Sequence, residues 1–285
     1  MFSEIFNNLS ITNLEDQEYL ALIQMIFNKE ETSKHISRKI YRWFLYYHID
    51  EDIEANIIAP MAQTLRDNNY EVKPVLRQLL GSTHFFDEDF RGAQIKGPID
   101  FSIGFVRQLE LEFPAQTELL PLYNLWFEVY TSAQVQLQSI SDPPDVAGWK
   151  AYYQEPSFYR TWISAVTLSE RDSFMNRLLS SKGIVKNGKT IKVNPFKILD
   201  QLDNPTNPNE VVSSFTKLLI PVPLSTDARD GLKEALIAGL PDFELTVEYN
   251  AFKNDPGNAG TKQAIEGKLL SLIIAIKNLP AIQLA

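Results

Sequence analysis

Cysteine is absent from the 285 residues, which removes disulfides, thiolate nucleophiles and cysteine-ligated zinc together. Histidine is scarce. The three residues His35, His48 and His84 form no HExxH or HxH arrangement, so no metal site is expected. No GxSxG, GxGxxG or GxxxxGKS/T pattern occurs, and no cofactor is expected either. Apolar runs fall well short of the ~20 residues that a membrane span needs; the longest late one, residues 269–276, is bounded by Lys268 and Lys277. The first thirteen residues lack a basic stretch followed by an apolar one, so a signal peptide is not expected. Positive charge is the minority: 27 Lys and Arg against 36 Asp and Glu leave a net charge of −9. Phosphate recognition needs clustered Lys and Arg, so nucleic acid is disfavoured as a partner.

What is present is apolar and aromatic. Hydrophobic residues make up 44% of the chain and aromatics 11%, enough to bury a substantial core in a soluble, globular chain. The spacing reads as all-α, a mainly helical array. One helix carries Tyr19, Leu22, Ile23, Ile26 and Phe27 after a capping box at Thr12–Glu15. A second, from Thr32, presents Ile36, Ile40, Trp43, Phe44 and Tyr47. A third follows the acidic turn 50–54 with Ile57, Ile58, Met61 and Leu65. A fourth covers 72–80 and stops at Gly81. Leu119, Leu122, Tyr123, Trp126, Phe127 and Tyr130 form the clearest amphipathic stripe. Asn207-Pro208 and Ser225-Thr226 mark later helix starts, and a final helix from Thr261 turns Ile265, Leu269, Leu272, Ile273 and Ile276 inward. The exception is Asn187-Gly188 between two alternating arms, which predicts one small β-hairpin near residues 184–193. The expected organisation is a single helical domain over 1–285, with a weak sub-boundary near 180–209.

Two segments carry unusual polar or aromatic content. Arg91, Lys96 and Asp100 surround two glycines in a loop that enters a helix. Two readings stand: the cations grip a carboxylate or phosphate near that helix start, or they form a network with Asp100 that pins the loop. The second is preferred, since charge networks are often structural. Further on, Asp145, Trp149, Tyr152, Tyr153 and Trp162 gather around a Pro/Gly-rich stretch. Such rings can stack on a sugar or a peptide; they can equally pin a long loop to neighbouring helices. His48 beside Asp50–Asp52 is read as a helix start rather than a metal site, and residues 254–258 as a plain turn.

Several ordered stretches also resemble a known family. Residues 37–44 (SRKIYRWF), 66–76 (RDNNYEVKPVL), Arg91-Gly92 with 95–98 (IKGP), and 143–149 (PPDVAGW) together resemble the C-terminal half of the bacterial domain of unknown function 1800 family. The resemblance implies a helical protein without an assigned activity, so no catalytic residue carries over. It implies relatives about twice this long, hence a C-terminal fragment here, and a periplasmic or exported setting for the parent. Ser37 stands where relatives often have cysteine. The expected role is a binding or assembly module for a glycan, peptide or protein partner. The rivals are a glycan or phosphoester hydrolase, using carboxylates such as Asp100, Asp145 and Glu155 with a missing N-terminal half, and a purely structural domain.

Overall fold

The computed structural model describes residues 11, 14–144, 146, 148 and 158–285, with Phe158 by its backbone alone. The chain is mainly helical, with one small antiparallel hairpin among the described residues. It divides into two compact units, Met1–Ala93 and Gln94–Ala285. The stretch 180–209, read from the sequence as a weak boundary, lies inside the second. No helix of the described residues is long and apolar enough to cross a membrane.

The first unit contains α1 (Glu18–Phe27), α2 (Glu30–Phe44), α3 (Ala59–Asp67) and α4 (Val72–Leu80). Asp50 starts the climb into α3: its carboxylate accepts from the Ile53 N–H at 2.8 Å, which also puts negative charge at the positive end of a helix. A turn at Glu51–Ile53 widens into a π-helical stretch, Glu54–Ile58. Pro60 then sits in the first turn of α3 with no N–H for the carbonyl four residues earlier, and the wider turn accommodates that gap. The core collects Tyr41, Leu45, Ile58, Met61, Leu65, Val75 and Leu79. α4 runs to Gly81 as its spacing predicts.

Two stripes behave differently from their sequence reading. No residue of α1 is buried; Tyr19 is 59% exposed and Leu22 48%. The capping box proposed for this helix involves Thr12 and Asn13, which lie outside the described residues. In α2 the buried line is Ser33, Ser37 and Tyr41, while Trp43 and Phe44 face solvent. Small side chains explain the turn of face: two serines opposite fully buried Ala62 let α2 and α3 approach closely, and Arg66 donates to the Ser33 hydroxyl at 2.5 Å. Size, not apolarity, decided which face went in.

The second unit contains α5 (Pro98–Gln108), α6 (Leu119–Val135), α7 (Ala165–Leu179), the hairpin β1 (Ile184–Lys186) and β2 (Lys189–Ile191), α8 (Pro208–Leu219), α9 (Thr226–Ile237), α10 (Phe243–Asn254) and α11 (Ala259–Lys277). α11 is its axis. Ile265, Leu269, Leu272, Ile273 and Ile276 are all fully buried, against α7, α8, α9 and α10. Its start is capped by Asn258, which accepts from Gly260 and Thr261, so the Asn-rich stretch read as a turn supplies the helix cap. The hairpin turns at Asn187 and Gly188, both with positive φ, the pattern of a type I′ turn. Ile184 pairs with Ile191, and both join the helical core, as two isolated strands require. The chain then closes on itself. Ile95 and Leu284 form an antiparallel bridge, Lys96 N–H donates to the Gln283 carbonyl at 2.8 Å, and Ala285 N–H donates to the Gln94 carbonyl at 2.8 Å.

Candidate functional site

The loop that carries Lys96 and Asp100 is held by a residue the sequence reading did not single out, Arg171 on α7. Its guanidinium is completely buried. It donates to the Lys96 carbonyl at 2.8 Å, to the Gln136 amide oxygen at 2.9 Å and to the Gln283 amide oxygen at 2.8 Å, and it lies over the Phe101 ring at 4.7 Å from the centroid. Gln136 continues the network to the Ser132 carbonyl at 2.7 Å and to the Ser102 and Ser132 hydroxyls. Lys96 Nζ donates to the Ile282 carbonyl at 3.0 Å.

Burial governs the electrostatics. It lowers Arg171 to about 10, with Asp100 opposing the shift. It lowers Lys96 to about 8, assisted by the Arg171 charge and opposed by Asp100. Desolvation by burial pushes the Asp100 carboxyl upward, opposed by the Gly97 N–H and the two cations, although part of the side chain stays in solvent. All three guanidinium nitrogens of Arg171, and the Lys96 amine, donate to protein acceptors. The cluster is a clasp joining α5, α6, α7 and residues 280–285, built on Arg171 and not on Arg91. Arg91 itself belongs to the first unit, where its exposed side chain pairs with Glu88 at 3.3 Å.

Of the aromatic candidates, Asp145, Trp149, Tyr152 and Tyr153 lie outside the described residues, as does Glu155. Trp162 is described and is only 3% exposed. It offers no open face to a ligand ring and packs instead at the entry to α7, where its carbonyl accepts from Thr167 Oγ1 at 2.9 Å. In the first unit, an open groove of about 500 Å³ is lined by Lys34, Ile49, Asp50, Glu51 and Glu54. Two of its carboxylates are already committed: Asp50 caps a helix, and Glu54 takes a two-pronged contact from Arg38 at 2.6 and 2.8 Å. Among the described residues, no cluster of three or more His, Asp or Glu is arranged to hold a metal ion.

The feature that stands apart is the outer face of α6. Leu122, Leu125, Val129, Ser132 and Ala133 point inward. Of the stripe read from the sequence, Leu122 is buried and Tyr130 half-buried, while Leu119 is 58% exposed, Tyr123 60%, Trp126 48% and Phe127 60%, with Leu120 beside them at 64%. The rings contact each other in pairs, Tyr123 with Trp126 at 5.4 Å and Phe127 with Tyr130 at 5.7 Å between centroids. The helix is fixed beneath them. Glu118 pairs with Lys189 at 2.5 Å, Glu128 pairs with Arg177 and with Lys186, and Asn124 donates to Asn187 at 2.6 Å. The result is an apolar ridge on a rigid support.

The family model described as a protein of unknown function, DUF1800, matches residues 3–245. The chain belongs to the DUF1800 family. The match ends inside α10, so α11, which packs against α7, α8, α9 and α10, lies beyond it. No curated protein and no solved structure matches this DUF1800 chain. Its family description therefore assigns no activity, and the α6 ridge and the Arg171 clasp rest on the geometry alone. Sequence reasoning missed Arg171 because one arginine in an amphipathic helix carries no local signal; only folding brings Lys96, Gln136 and Gln283 to it. It found the α6 stripe but grouped buried Leu122 with the exposed Leu119, Tyr123, Trp126 and Phe127, because α6 carries apolar side chains on both faces.

Proposed function

We propose that this DUF1800 chain is a binding or assembly module that acts through the apolar ridge of α6, with a protein or peptide as its partner. The observation that carries the reading is Trp126: an indole nearly half exposed, flanked by Tyr123 and Phe127, on a helix whose opposite face is already packed. Contiguous exposed apolar surface of this kind marks interaction sites, and Trp and Tyr are the residues most enriched where binding energy concentrates. The exported setting implied by the family resemblance is part of the same proposal. A carbohydrate partner fits less well, because the polar groups along α6, Glu118, Asn124 and Glu128, are engaged by the hairpin and α7 rather than free to bind hydroxyls.

The test is a stability comparison with a contact measurement. Trp126→Glu is expected to change the urea unfolding free energy by no more than about 0.5 kcal/mol, as surface positions do. A photoreactive phenylalanine analogue at position 127 is expected to give one discrete cross-linked protein adduct that Trp126→Glu abolishes. A loss of about 2 kcal/mol or more would show the ridge to be internal packing and would end the proposal.

A further inference from the structure

What the α6 ridge fits is narrowed by its spacing, its charge and its area. Leu119, Tyr123, Trp126 and Tyr130 follow one another in steps of four, three and four, the seam spacing of helices that pack side by side. Leu120 and Phe127 widen the seam along one edge. From Leu119 to Val135 the only charged side chain is Glu128, and its carboxylate is drawn to Arg177 and Lys186. Glu118, at the start of the helix, is occupied by Lys189. The ridge therefore presents neither an acidic rim to attract a basic partner nor a basic one for an acidic partner. It can meet an identical ridge without opposing like charges, although each chain carries a net −9 overall.

Area points the same way. With aromatic side chains of ~150–250 Å² each, the exposed parts of Tyr123, Trp126 and Phe127 together with the two leucines come to roughly 500 Å². Two such surfaces bury about 1,000 Å², which is where specific interfaces begin. A two-fold axis crossing α6 between Asn124 and Leu125 makes the seam self-complementary. Leu119 of one copy then faces Tyr130 of the other, and Tyr123 faces Trp126, with the two helix dipoles antiparallel. Small residues oppose large ones at the ends, and aromatic rings meet in the middle.

We propose that α6 pairs antiparallel with α6 of a second copy of this chain. The inference rests on the docking reading of the ridge and adds the identity of its occupant. An interface of about this area belongs with the weak, transient class, for which a micromolar dissociation constant is the working range of the test.

Sedimentation of the full chain across a range from roughly 1 to 100 μM spans that affinity. The weight-average mass is expected to rise from 32.5 kDa toward twice that value. Tyr123→Glu and Trp126→Glu are each expected to hold it near 32.5 kDa while leaving the circular dichroism spectrum unchanged. Because the chain has no cysteine, a Tyr123→Cys chain mixed with a Trp126→Cys chain gives an independent reading. A short bis-maleimide is expected to join unlike chains in preference to like ones. A dimer that survives Trp126→Glu, or equal joining of like and unlike chains, overturns the pairing. A chain that stays monomeric throughout, yet forms a discrete adduct of other mass from position 127, overturns the second-copy occupant and leaves the docking reading standing. Loss of stability in Trp126→Glu removes both.

Discussion

The guanidinium of Arg171 donates to the backbone carbonyl of Lys96 at 2.8 Å, across 75 residues of sequence. One side chain on α7 thus fixes the loop in front of α5, and through Gln283 and Gln136 it fixes residues 280–285 and the end of α6. Replacing it exposes what the bonds are worth. Arg171→Met keeps most of the volume but leaves the buried Gln136 oxygen and two partly buried ones, on Lys96 and Gln283, without their donor, at about 1–3 kcal/mol for a fully buried group. A loss on the order of 3 kcal/mol in the urea unfolding free energy is expected. Arg171→Lys, with one ammonium in place of a planar fork, should recover only part of it. A variant as stable as the parent would show the clasp to be incidental.

Lys96 makes alkaline stability rise. Its ordinary value, about 10.4, is brought down to about 8 in the folded chain by burial and by Arg171. Between those values the unfolded chain holds the proton and the folded chain does not, so stability increases with pH through this window. Below about 8 both states are protonated and the cost of the buried cation is constant. Relative to Lys96→Met, the parent is expected to gain roughly 1–3 kcal/mol between pH 7.5 and 10. Chemical denaturation across that range measures it, and parallel curves for the two proteins would contradict it. Asp100 and Arg171 face the same amine, so Asp100→Asn should lower the Lys96 value further.

Gly183 and Gly188 both have positive φ, 66° and 75°, but differ in surroundings. A Cβ on Gly183 would lie 2.5 Å from the Ile191 carbonyl oxygen, whereas one on Gly188 meets nothing within 4 Å. Gly188→Ala should cost only the conformational penalty of ~1–2 kcal/mol. Gly183→Ala adds a backbone clash at the edge of the core and should cost clearly more. Thermal unfolding of the two variants checks the order.

Ser164 and Thr167 form a reciprocal cap at the start of α7. Ser164 Oγ accepts from Thr167 N–H at 3.1 Å, and Thr167 Oγ1 accepts from Ser164 N–H at 2.8 Å. Ser164→Ala should cost about 1 kcal/mol. Thr167→Val should cost more, because Thr167 is buried and also donates to the Trp162 carbonyl. Near-ultraviolet circular dichroism of Trp162 should change in the second variant and not in the first.

Most of the fold was legible in local chemistry, and particular residues show where it stopped being so. Asn187-Gly188 marks the hairpin because the turn demands two positive φ values that few other pairs tolerate. Asn207-Pro208 and Ser225 announce α8 and α9 for similarly local reasons. α10 was not announced: Leu245 is its only fully buried residue, so there is no stripe to read. α2 was read partly off its face: Ile36 and Ile40 pack against the core, but the fully buried line is Ser33, Ser37 and Tyr41, and periodicity counts serine as polar. The ridge of α6 was read as core because hydrophobicity says that a surface seeks cover, not whose. The Arg171 clasp is assembled from residues 96, 136, 171 and 283, and no window along the chain contains it.

The bridge between Ile95 and Leu284 has a consequence for how the second unit is made. The backbone of its opening loop gains its last partners only when residues 282–285 have been synthesised, almost two hundred positions later. A chain emerging from the ribosome therefore carries α5, α6 and α7 with Arg171 able to reach Lys96 and Gln136 but not yet Gln283, and with α11 missing from the middle. Closure comes last and all at once, which makes this unit one that chaperones would meet nearly finished and still open.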